Sequence, residues 1–154
     1  MKSIKIQNIQ DTIIKGIRYE TADKRENNKC GYFDWNPTSL TANFKSTKIS
    51  GGIVNFWHHS FNFTEVETHI DSEIFHVMNG DAIMIFADVV HNAVIEDSVQ
   101  IVRVPAGTRL IIEPGKGHYA PILAEGGEGI MFVACPEMEC YFHQLADEVV
   151  GVIE

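Results

Sequence analysis

Carboxylates and imidazoles crowd two short stretches of this chain, "EVETHIDSEIFHVMNG" over residues 65–80 and "GTRLIIEPGKGH" over residues 107–118. In a strand, residues two apart face one side, so Glu67 and His69 point together. Asp71 and Ser72 are turn formers, and a sharp turn after His69 lets Glu73 open the next strand beside it. Three ligand-type side chains then converge. Downstream, a strand from Thr108 to Ile112 runs into a rigid Pro114-Gly115 turn, with His118 just beyond it as a fourth. Charge set among so much apolar strand costs several kcal/mol unless it is paired or bound to a metal.

The elements that must position these residues are strands. After residue 50 the segments "GGIVNFWHHSFNF", "EIFHVM", "DAIMIFADVV", "AVIED", "VQIVRV", "TRLIIE", "GIMFVAC" and "CYFHQL" alternate with turns at "NG", "PAG", "PGKG" and "EGGEG". Short strands at a spacing of about 8–12 residues predict an all-β sandwich or barrel. The first fifty residues read as shorter strands, "SIKIQNI" and "TIIKGIRY", followed by the polar loop "ETADKRENNK". The C-terminal "HQLADEVVGVIE" suits either a short helix or a tail strand. The glycines of "EGGEG" fit a hairpin loop better than a phosphate cradle, since no helix start follows them.

A length of 154 residues predicts one domain with a real core. Apolar residues make up 45% of the chain, but no long uncharged apolar run predicts a membrane span, and "MKSIKIQNIQD" has neither a secretory nor a transit pattern. A cytoplasmic protein is expected. The net charge of −9 lacks the basic footprint that nucleic acid requires. An anionic small substrate would need a local cation, from a metal, an Arg or a Lys. Cys30, Cys135 and Cys140 are odd in number and show no CxxC spacing, which predicts reduced structural thiols.

Other polar residues are weighed the same way. His58 and His59 must face opposite sides of a strand, so at most one points inward, and neither is expected as a ligand. His76 falls on the face opposite Glu73, while His91 and His143 need only structural roles. Tyr119, beside His118, is a candidate to orient substrate or donate a proton. Arg109 is the nearest candidate for a carboxylate clamp, although regular alternation would turn it outward.

These residues resemble the cupin superfamily, whose first motif ends His, three residues, Glu, six residues, Gly, as His69, Glu73 and Gly80 do. The second cupin motif is matched by Gly107, Gly115 and His118, and residues 81–106 leave room for the hairpin between the two. The resemblance implies a single-domain cupin barrel, a double-stranded β-helix or jelly roll. It also implies one divalent metal held by Glu67, His69, Glu73 and His118. Glu67 stands where the family has a first histidine, Glu113 where it has proline, and Ile122 where it has asparagine. Glutamate still binds Zn, Mn, Fe or Ni, and two carboxylates offset a divalent ion but repel each other without one.

Within the cupins, residues from about 64 to 140 look like the ureidoglycolate lyase (hydrolase) group, on "EVETHIDSEIFHVMNGDAIMIFA", "VRVPAGTRLIIEPGKGHYAPI" and "GIMFVACPEMEC". That likeness implies cleavage of ureidoglycolate to glyoxylate and urea in purine breakdown, with Tyr119, Glu73 and His118 as catalytic residues and a small polar, anionic substrate. Other cupin chemistry stays open: sugar isomerisation or epimerisation, dioxygen chemistry on iron, or a non-catalytic barrel that binds a small molecule. A homodimer is expected, because edge strands need cover and twofold dimers are the commonest oligomers.

Overall fold

The computed structural model describes residues 1–24 and 28–153, with residues 24 and 28–30 described by backbone alone. The Cys30 thiol and part of the polar run at residues 20–29 therefore lie outside the described residues. In chain order the strands are β1 (Lys2–Lys5), β2 (Gln7–Asn8), β3 (Ile17–Glu20), β4 (Asn28–Cys30), β5 (Phe33–Trp35), β6 (Ser50–Trp57), β7 (Asn62–Thr68) and β8 (Glu73–Asn79). They continue as β9 (Ala82–Val90), β10 (Ala93–Val94), β11 (Gln100–Val104), β12 (Arg109–Ile112), β13 (Lys116–His118), β14 (Ile122–Leu123), β15 (Glu128–Cys135) and β16 (Tyr141–Val152). Only short 3-10 turns interrupt them among the described residues, so the fold is all-β as expected. No helix among these residues is long and apolar enough to cross a membrane.

The large sheet runs β1-β16-β7-β13-β9-β11-β2, and the smaller one runs β3-β12-β8-β15-β6. Only Ile6 separates β1 from β2. One pairs with β16 and the other with β11, both in parallel, so the run from Lys2 to Asn8 stitches the two ends of the large sheet together. The sheet curls into a barrel, and the smaller sheet packs across one of its faces.

Two cores result. Met84 and Phe86 of β9 join Phe75, Val77, Leu110, Ile112 and Met131 between the sheets, whereas Ile83, Ile85 and Ala87 join Phe63, Val66, Ile101 and Val149 on the other face. Because β9 is covered on both faces, "AIMIFA" reads as a continuous apolar run instead of an alternating one. Each fully buried aliphatic or aromatic side chain contributes about 1.5–3 kcal/mol. The interlayer face therefore anchors whatever polar group stands beside it.

The C-terminal segment is the tail strand β16, since pairing with both β7 and β1 satisfies its backbone in a way a short helix could not. Part of the polar run forms a small hairpin of β4 and β5. The "NG" pair turns the chain, but out of the smaller sheet at β8 and into the large sheet at β9. Gly80 adopts φ +73°, and a Cβ there would lie 2.5 Å from the Leu123 side chain, so any other residue would strain the backbone and displace that leucine.

Candidate metal centre

Register brings the expected residues together from two sheets. Glu67 of β7 lies directly opposite His118 of β13, whose other neighbour is the core residue Phe86 of β9. Directly opposite residues share a face, so Glu67 and His118 both look into the interlayer. Glu73 opens β8 in the smaller sheet opposite Ile112, and it faces the same space from the other side. His69 sits at the corner where the chain passes from one sheet to the other. Its carbonyl accepts the Gly115 N–H at 2.9 Å, with Gly115 at φ +78°, and this joins the two motif turns.

His69, Glu73 and His118 are 7%, 7% and 1% exposed, and each offers a ligand atom within 4.8 Å of the other two. His118 Nε2 lies 2.8 Å from Glu73 Oε2, and His69 Nε2 lies 3.5 Å from the same oxygen. The 2.8 Å separation is within hydrogen-bond reach, yet it carries no hydrogen bond. His118 Nε2 and Glu73 Oε2 both end buried with no hydrogen-bond partner. The opposite ring nitrogens are anchored: His118 Nδ1 donates to the Lys116 carbonyl and His69 Nδ1 to the Glu139 carbonyl, each at 3.0 Å. A carbonyl only accepts, so both rings carry their proton on Nδ1 and turn the Nε2 lone pair toward Glu73 in the neutral form. Second-partner anchoring of this kind is the usual setting of metal-binding histidines.

Burial alone would lower the His118 pKa. The Glu73 carboxylate, the Lys116 carbonyl and the Glu67 charge outweigh it and hold the imidazole above its ordinary range. The site thus attracts positive charge, whether a proton or a metal ion. Two neutral imidazole nitrogens with one carboxylate fit a divalent transition metal, and the orphaned pair of atoms shows where it would bind.

Glu67 stands farther out, with one oxygen 4.0 Å from His118 Nε2 and the side chain 20% exposed. It also belongs to a second group with His69 and Cys140, again with ligand atoms within 4.8 Å of one another. Cys140, expected only as a structural thiol, was missed because it lies far along the chain, outside both motifs. Burial at its sulfur, and then the charge of the nearby Glu67 carboxylate, raise its pKa above the ordinary thiol value.

A cavity of about 210 Å³ opens beside the group, lined by Glu67, Glu73 and His118 at one end and by Val54, Phe75, Met131 and Val133 along its walls. Among the described residues no Lys or Arg lines it. A larger cleft of about 460 Å³ beside Arg103 and Glu125 carries none of the metal donors.

Arg109 is not a clamp in this cavity. On β12 it alternates with the interlayer residues Leu110 and Ile112, so it turns outward, where it meets Glu20 at 3.4 Å and donates to the Asn36 carbonyl at 3.1 Å. Tyr119 borders the cavity, but its hydroxyl donates to Glu65 at 2.9 Å and it packs against the core on the far face. Ile122 is buried in that same core, which explains an apolar residue where the family motif has asparagine. Glu113 accepts from Arg18 at 2.8 Å on the surface. His143 is buried and bonds Thr68 at 2.8 Å, while His58 bonds the Leu123 carbonyl at 2.9 Å.

No protein-family model matches this chain, and no curated protein matches it by sequence. Among solved structures it is similar to a dTDP sugar isomerase from Desulfovibrio desulfuricans G20, at 9% identity and a TM-score of 0.52, over 88% of this chain and 83% of that one. A 4-keto-6-deoxy sugar epimerase of Streptomyces spheroides also aligns, at 9% identity and a TM-score of 0.49, over 86% of this chain and 70% of that one. Identity this low establishes the fold alone, and the fold is the cupin barrel. The narrower resemblance to the ureidoglycolate lyase group has no counterpart among these neighbours.

Proposed function

We propose that this chain is a metal-dependent cupin enzyme that isomerises a small hydroxy-carbonyl compound with an aliphatic end. The observation that carries this reading is the meeting of His118 Nε2 and Glu73 Oε2, buried and without hydrogen-bond partners, beside His69 Nε2. A divalent ion bound there supplies Lewis-acid polarisation of a substrate oxygen. The chain's own residues do the rest. His69, Glu73 and His118 hold the ion, Phe75 packs edge-on against the His118 ring and fixes it, and Glu67 faces the cavity from outside the trio. Glu67 takes the proton from the hydroxyl-bearing carbon and returns it to the neighbouring carbonyl carbon, while the hydroxyl proton passes to the former carbonyl oxygen, so that the two groups exchange places. Val54, Met131 and Val133 receive the aliphatic end and exclude water.

Size and lining support a small substrate. Drug-sized ligand pockets span about 300–1,000 Å³, and among the described residues this cavity has no cationic side chain for a nucleotide diphosphate. The sugar isomerase among the structural neighbours is compatible with the reaction type but not with a dTDP handle bound here. The ureidoglycolate lyase reading, favoured by the motif likeness, would use the same ion. It finds few polar partners for a ureido group in these walls, and so it stands second.

Two measurements test the proposal. Elemental analysis should find about one transition-metal ion per chain, and His69→Ala or His118→Ala should remove it. The loaded protein, incubated with short 2-hydroxy ketones in D2O, should place deuterium beside the carbonyl, and Glu67→Gln should stop this. Metal uptake unchanged in both His variants would overturn the proposal, and urea released from ureidoglycolate would replace isomerisation with the lyase reaction.

A further inference from the structure

We infer that Gly52 determines substrate length: the side chain it lacks leaves a slot at the edge of the smaller sheet, and the aliphatic end of the substrate passes through it. The inference rests on the metal site and the reaction proposed above. Three observations carry it. Gly52 of β6 lies directly opposite Val133 of β15, which in turn lies opposite Phe75 of β8. Directly opposite residues share a face, so the three form one row across the cavity wall, and all three line the cavity. The row ends at Gly52, because β6 is the last strand of its sheet, and the glycine is exposed there. Among the described residues, a Cβ added to Gly52 would meet no heavy atom within 4 Å beyond its two chain neighbours, whereas one at Gly129 would run into the Phe56 ring.

A glycine inside a strand weakens it and marks a place where a ligand or another backbone comes close. At Gly129 the neighbouring ring is the reason. At Gly52 the chain leaves the space open, and its φ is not positive, so neither packing nor conformation calls for glycine. A ligand is what remains. Phe75 stands two residues beyond Glu73 on β8, which puts the row about 7 Å along the strand from that carboxylate. A substrate held by its oxygens at the ion therefore reaches the row with its first carbons, and the next ones leave past Gly52. Val54 and Val133, which receive the aliphatic end, flank the gap. A branched side chain at position 52 would continue the apolar row and close it.

The test uses the full chain loaded with zinc and compares the parent with Gly52→Ala and Gly52→Val, the latter introducing a strand-forming residue. Linear alkyl hydroxamates, from acetohydroxamate to octanohydroxamate, anchor on the ion by their heads, and calorimetry reads their binding. The parent should bind about fourfold more tightly for each added methylene that the cavity buries. Gly52→Val should bind acetohydroxamate as the parent does but lose this gain at a shorter chain, with Gly52→Ala between the two. Deuterium exchange into 2-hydroxy ketones of rising length should show the same cut-off as a rise in KM. A parent that gains nothing from added methylenes, or a Gly52→Val variant that gains as the parent does, overturns the slot and leaves the metal site standing. Chain-length dependence that Gly52→Val cuts short, with no deuterium exchange in the parent, keeps the slot and overturns the isomerase reading. A parent that binds no hydroxamate overturns both the slot and the metal site.

Discussion

Two buried carboxylates stand two residues apart in "IDSE", and their surroundings differ in kind. Asp71 accepts backbone N–H groups from Lys45 at 2.9 Å, Ser46 at 3.0 Å and Ser72 at 2.8 Å, and in doing so clamps the loop before β6 onto the corner between the sheets. Glu73 has one oxygen pressed against two imidazole nitrogens with no hydrogen bond at all. Both groups lost water on folding. At Asp71 the chain replaces that water with its own amides, and the result is a structural fastening. At Glu73 the neighbours are imidazole nitrogens instead of amides, so its charge is compensated by a proton on His118 or by the proposed metal ion.

The largest effect that can break this contrast is metal removal. Saturating zinc should raise the stability of the parent by about 4 kcal/mol at a thousandfold excess over Kd, and it should do nothing for His118→Ala. Thermal melts with chelator and with metal read this directly. An equal shift in both proteins would mean that the ion binds elsewhere and that Glu73 has no special debt of solvation.

The next effect belongs to Asp71 and should ignore metal. Asp71→Ala leaves three backbone donors without their acceptor and should cost about 2–3 kcal/mol, the same with chelator as with zinc. A metal-dependent cost would join the fastening to the site and dissolve the distinction between the two carboxylates.

The same group has a pH signature. Burial alone would raise the Asp71 pKa, but the backbone N–H groups of Lys45, Ser46 and Ser72 outweigh it and hold the carboxyl below its ordinary value. A depressed folded value means that the stabilisation is complete above the unfolded pKa of about 3.9 and disappears as pH falls through the folded one. Urea midpoints of the parent and of Asp71→Asn should therefore differ at neutral pH and converge in acid. A constant gap down to the lowest pH would show that the N–H groups bind the neutral acid equally well.

The smallest effect is the most diagnostic. Without metal, Glu73→Gln keeps the shape of the side chain and removes a buried charge, so it should be neutral or stabilising by about 1 kcal/mol, the scale of a one-unit pKa shift. With metal the order should reverse, because the parent gains binding energy that the variant largely loses. Equal destabilisation in both conditions would make Glu73 a structural acceptor like Asp71.

Much of the barrel was legible beforehand because its signals are local. Alternation, turn residues and the spacing of His69, Glu73, Gly80, Gly115 and His118 all lie within runs of a dozen residues. Alternation also placed His76 away from Glu73 and allowed Arg109 to point outward. The curled closure of the large sheet was not legible, because it depends on Lys2–Asn8 pairing with strands more than ninety residues away in sequence. Neither was the tail strand, whose pattern suits a helix until β1 and β7 supply its partners.

By itself, the sequence determined the strand-rich class and singled out His69, Glu73 and His118 as candidate ligands, since a period of two and a fixed motif spacing are properties of short segments. Only the tertiary structure decided which donors meet. Register set Glu67 opposite His118, the corner at Asp71 turned His69 between the sheets, and the loop before β16 delivered Cys140 and the Glu139 carbonyl to it. The physical reason is distance along the chain. A ligand set is a meeting of side chains in space, and residues remote in sequence are brought within a few ångströms by strand pairing and core packing, which no local pattern records.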